Sequence, residues 1–125
     1  MDLSKFEVYK FSTGVSTMTI SKSGISFSQT AVIRLEMATH VRLLINQVDK
    51  EIAIQQASSE DKQAMRFYRA RKNAVTARWN YKDLIATLSD LMGWNTDEHT
   101  YKVTGEFNAS EKLILFKLGN AEMIS

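Results

Sequence analysis

The chain has 125 residues, 44% hydrophobic and 24% charged, the balance of a globular domain that buries a core of its own. It contains no cysteine, which excludes disulfides, thiolate metal sites and cysteine nucleophiles, and its net charge of +2 excludes a polycation that binds through bulk charge. No apolar run reaches the ~18 residues of a membrane span and MDLSKFEVYK lacks the apolar core of a signal peptide, so a cytoplasmic protein with no membrane partner is expected.

In chain order, FEVYKF (residues 6–11) alternates with apolar groups on both sides, the pattern of a strand covered on each face. MTISKSGISFS then predicts a β-hairpin turned at Lys22-Ser23-Gly24, with Gly24 free to take a positive φ. Ser28 stands at the N-cap position of a helix whose narrow apolar stripe is Ala31, Val32 and Leu35. HVRLLIN and EIAIQQ predict a second hairpin through Gln47-Val48-Asp49-Lys50, with Ile52 and Ile54 on one face.

After the polar stretch 57–63, AMRFYRA and AVTARW alternate as two further strands joined at Lys72-Asn73. Residues 64–72 also leave a helix open: Met65, Tyr68 and Lys72 fit helical spacing less well than they fit a strand, but Ala and Arg favour helix. Asn80 followed by Asp83 resembles a capping box for YKDLIATLSDLM, whose stripe is Leu84, Ile85, Leu88, Leu91 and Met92. Gly93 is placed to stop that helix in the left-handed conformation. Trp94 reads as a lid over the core. YKVTGEF and KLILFKL close the pattern as two more strands, the second apolar enough to lie centrally or to pair across a subunit boundary.

The expectation is therefore an α+β fold of two successive β-β-α-β-β units packed into one domain. The first unit covers 6–56, the second 64–118, and 57–63 connects them, so that the halves read as an internal repeat.

Catalysis finds little support in the residue pattern. His40 and His99 have no ligand-spaced partners, the five glycines form no phosphate-cradling loop, and no serine stands in a nucleophile elbow. The adjacent Asp97 and Glu98 read as a solvated loop. No enzyme activity, metal or cofactor is expected, although a deep pocket uniting His99 with Asp97 and Glu98 would reopen the question.

The constellation that remains is KQAMRFYRARKNAVTARWNYK, residues 62–82, with seven basic side chains, four aromatic rings and no acid. It holds a charge of +7, which leaves −5 on the rest of the chain and steers a polyanion toward one face. As regular strands, Arg66, Tyr68 and Arg78 share an exposed face, while Met65, Phe67 and Arg69 lie on the other with Val75, Ala77 and Trp79 buried. Arg66, Arg69, Arg71, Lys72 and Arg78 are then candidate phosphate contacts, and Tyr68 a candidate stacking ring for nucleic acid. The alternative is a solvated face whose arginines pair with Asp61, Glu60 or helix carboxylates.

The segment GISFSQTAVIRL with the following HVRLLINQVDKEIAIQQ, Gly24 to Gln56, resembles the AbrB-like swapped-hairpin regulators, in which a strand enters a short helix and a two-stranded hairpin follows. That resemblance implies a dimeric, DNA-binding transcription factor. The chain as a whole is similar to small proteins of Gram-positive bacteria and their phages. A nucleic-acid-binding regulator or phage accessory factor is the first expectation. A protein-interaction or inhibitor module, self-associating as a homodimer, is the second.

Overall fold

The computed structural model describes residues 1–6, 14–71 and 74–125, so the strand expected at 6–11 and the Lys72-Asn73 connection lie outside the described residues. The elements are β1 (Ser16–Ser21), β2 (Gly24–Phe27), α1 (Gln29–Arg34), β3 (His40–Asn46), β4 (Glu51–Gln56), β5 (Met65–Arg66), β6 (Ala77–Trp79), α2 (Lys82–Met92), β7 (Tyr101–Asn108), β8 (Leu113–Lys117) and β9 (Glu122–Met123). The strands form one antiparallel, curled sheet in the order β5-β3-β4-β8-β7-β1-β2-β6, with β9 beside β7.

This arrangement overturns the α+β expectation of two repeated units. Two strands, a helix and two strands do succeed one another in each half of the chain, but that order makes no unit. β1 pairs with β7, β2 with β6, β3 with β5 and β4 with β8, so every one of these ladders joins the halves. Neither half of such a small chain buries enough apolar surface alone, and interleaving gives all the strands one shared interior. The molecule is mostly β, α1 is only six residues long, and the repeat has no structural counterpart.

Local chemistry explains the hairpins. In the β1–β2 turn, Ser21 opposes Gly24, which holds φ +155°. A Cβ there would stand 2.7 Å from the Trp79 carbonyl oxygen and 2.9 Å from Arg78 Nη2, so the bare backbone of glycine is what lets β6 approach. Ser28 caps α1, its Oγ accepting from Ala31 N–H at 3.3 Å and from Thr17 N–H at 3.0 Å, which fastens the helix start to β1. The β3–β4 hairpin turns on Asn46, whose side chain accepts from Asp49 N–H at 3.0 Å and donates to Asp49 Oδ2 at 2.9 Å. Gly93 ends α2 at φ 69°. Tyr81, not Asn80, is the N-cap of α2, and no side-chain cap bond forms, so the expected capping box is absent.

Period-two alternation carries Met18 and Ile20, Ile25 and Phe27, Ile52 and Ile54, and Ile114 and Phe116 into the interior, each 2% exposed or less. Full burial of one such side chain stabilises the fold by about 1.5–3 kcal/mol. α1 adds Ala31, Val32 and Leu35 at 0% exposure, and α2 adds Ile85 and Leu88. Phe27 anchors an aromatic cluster, meeting Phe67 at 5.1 Å and Trp79 at 4.9 Å edge-to-face, with Phe116 at 6.2 Å. Trp94 stacks on Tyr101 at 4.6 Å and packs against the core. β8 lies between β4 and β7 with both edges paired, so it offers no edge to another subunit.

The two ends of the sheet, β5 and β6, meet at a seam. An isolated bridge joins Tyr68 to Ala77, and Trp79 Nε1 donates to the Arg66 carbonyl oxygen at 2.7 Å. Trp79→Phe keeps the ring but leaves that carbonyl without its partner. We expect a loss of about 1–3 kcal/mol in stability by urea denaturation, and an unchanged midpoint would show that the seam does not depend on this bond.

Candidate functional site

Residues 64–71 are extended, not helical, yet regular pleating stops after Arg66. The consecutive N–H groups of Phe67 and Tyr68 donate to Thr39 O at 2.7 Å and Ala38 O at 3.2 Å. In a regular antiparallel strand every second N–H points away from that neighbour, so the backbone here is twisted as in a bulge. The twist drops both rings inward: Phe67 is 3% and Tyr68 8% exposed.

This changes the expected face. Tyr68 is a core side chain with no open ring face for a base, which corrects its placement beside Arg66. Arg69, read on the strand face opposite Arg66 and as a candidate phosphate contact, is exposed. Val75 and Met65 are half-buried, and Ala77 and Trp79 are buried as expected. Arg66, Arg69, Arg71 and Arg78 line one cleft of about 320 Å³ at the seam, with Phe67, Trp79, Asn80 and Tyr81 completing its wall. Lys72 lies outside the described residues.

Among the described residues no carboxylate lines this cleft. Among the described residues the one ion pair is Arg42 Nε to Asp61 Oδ2 at 2.9 Å, so Asp61, one of the acids expected to neutralise the basic stretch, is engaged by β3 instead. Arg78 is oriented by a neutral partner: its Nη2 donates to the Ser23 carbonyl at 2.9 Å and to Ser23 Oγ at 3.0 Å. Those bonds fix the guanidinium while leaving its charge uncompensated. Tyr81 is the residue that the sequence reading missed. It is 42% exposed, it lines the cleft, and its ring lies 5.7 Å from that of Trp79. Its signal was its position two residues after a buried strand tryptophan, within the basic stretch.

A larger hollow, about 600 Å³, is elsewhere and does gather Asp97, Glu98 and His99 with Lys22 and Lys82. Asp97 and Glu98 are exposed there, and His99 Nδ1 faces the Ser125 carbonyl at 3.1 Å. No hydrogen bond joins His99 to either carboxylate, so the three groups do not form an oriented acid–base set. Among the described residues no group of three His, Asp or Glu side chains is arranged to hold a metal ion, and no helix is long and apolar enough to cross a membrane.

Four like charges in one cleft repel each other, a cost that any stabilising role must offset. Arg69→Gln and Arg71→Gln are each expected to leave the thermal midpoint unchanged or raised at low salt, with the gain fading as salt screens the charges. A lowered midpoint, insensitive to salt, would mean that these arginines hold the fold together.

No protein-family model, no curated protein and no solved structure matches this chain.

Proposed function

We propose that the protein is a non-enzymatic nucleic-acid-binding protein, a transcriptional regulator or phage accessory factor that grips phosphates in the seam cleft. The observation that carries this reading is the convergence of four arginines on one recess, with no carboxylate among the described residues that line it. Guanidinium groups offer planar, forked donors that match phosphate oxygens in pairs and keep their charge at any working pH. Arg78, already held by Ser23, loses little further side-chain freedom when it meets a ligand. The AbrB-like resemblance of 24–56 is in keeping with this reading.

A second reading, a protein-interaction module, draws on the far end of the β3–β4 hairpin. Leu44, Ile45 and Val48 are exposed there, at 41%, 39% and 91%, and β5 covers β3 only at His40 and Val41. An open, apolar strand edge is a ready surface for another chain.

Fluorescence anisotropy of labelled single- and double-stranded oligonucleotides at two salt concentrations separates the two. The first reading expects binding that weakens steeply with salt. In the Arg66→Ala/Arg78→Ala double variant, folded by circular dichroism, affinity falls and the log–log salt slope becomes shallower by about two. No binding at low salt would retire the nucleic-acid reading and leave the hairpin edge as the surface to pursue.

A further inference from the structure

The geometry points to single-stranded nucleic acid as the ligand of the seam cleft, with Tyr81 as the platform for one unstacked base. This inference rests on the nucleic-acid reading above and adds the strandedness of the ligand and the residue that selects it.

Three observations carry it. First, the arginines sit around a recess of about 320 Å³, near the lower limit of ordinary ligand pockets of about 300–1000 Å³. Reading a duplex groove needs a projecting helix or ribbon that enters the groove. A recess instead receives something narrow, and a single strand with a splayed base is narrow enough. Second, the cleft wall holds an exposed ring. Tyr81 is 42% exposed, whereas the other aromatic residues of the wall, Phe67 and Trp79, are each 3% exposed. Third, Trp79 backs that ring at 5.7 Å and 36°, and Trp79 is itself held by the Arg66 carbonyl. The platform is therefore rigid, so a base stacked on it costs little ordering of the protein. Phosphates on either side of that base fall to the arginines of the same wall, the combination of cationic groove and stacking ring that single strands require.

The test is anisotropy with labelled oligo(dT) and oligo(U) of about 12 nucleotides and a duplex of the same length. Wild-type protein is expected to bind a single strand at least about tenfold more tightly than the duplex at equal salt. Tyr81→Ala should weaken single-strand binding by about tenfold with the salt slope unchanged, because no phosphate contact is removed. Tyr81→Leu, which keeps bulk against Trp79, should lose the same increment, and Tyr81→Phe should retain wild-type binding, with thermal melts confirming each fold. Equal affinity for single strand and duplex, or full single-strand binding by both Tyr81→Ala and Tyr81→Leu, would overturn the inference while the nucleic-acid reading stands. Absence of binding to every probe at low salt would overturn both.

Discussion

The hydrogen bond from the Trp79 indole to the Arg66 carbonyl is the constraint on which the rest of this structure depends. A curled sheet has two ends, and unpaired strand edges invite association with other chains. Here the ends are β5, two residues long, and β6, three residues long. Neither is long enough for a full ladder. Their junction consists of the Tyr68–Ala77 bridge, the indole bond, and the packing of Phe27, Phe67 and Trp79 beneath it. Edge-to-face ring pairs of this kind contribute about 0.5–1.5 kcal/mol each beyond their buried area, comparable to the hydrogen bonds of a short ladder.

That junction also explains why the cationic side chains converge. Burying Phe67 and Tyr68 together requires the strand to twist, and the twist returns Arg66 and Arg69 to the same side. On β6 the alternation is regular, so Ala77 and Trp79 point inward and Arg78 outward toward the same cleft. The core therefore dictates where the guanidinium groups go, although it gains nothing from their charge. Asp61, the acid that directly precedes the basic stretch, is spent on Arg42, and Arg78 is fixed by the oxygens of Ser23. An exposed carboxylate in such a cleft would gain up to about 1 kcal/mol, where like charges lose a similar amount.

What the residues disclosed in advance was local. Ser28, Gly24 and Gly93 sit where turn and cap chemistry puts them, and the β1–β2 and β3–β4 hairpins follow from alternation around short polar turns. Strand partners distant in sequence left no such trace. Nothing in EIAIQQ or LILFK announces that Ile54 will face Ile114, so the similar order of elements in the two halves passed for two units. Tyr68 was assigned outward because period two was carried past Arg66, beyond the point where the ladder ends. Asn80 is a sound cap by residue type, but the backbone of Tyr81 starts the helix, and the Tyr81 side chain is exposed at the cleft.

These two failures of local reasoning fall at one place. At this place Tyr68 lies in the core and Tyr81 is exposed beside the arginines. Their joint effect is to exchange a ring on a pleated surface for a ring in a recess. A pleated surface would present its arginines in a row spaced along the strand, suited to the regular phosphates of a duplex. The recess gathers them around a single aromatic face. Departures from the regular pattern concentrate where a chain is selected for something other than its own stability, and here they build the wall of the one cleft described whose lining is cationic throughout its charged residues.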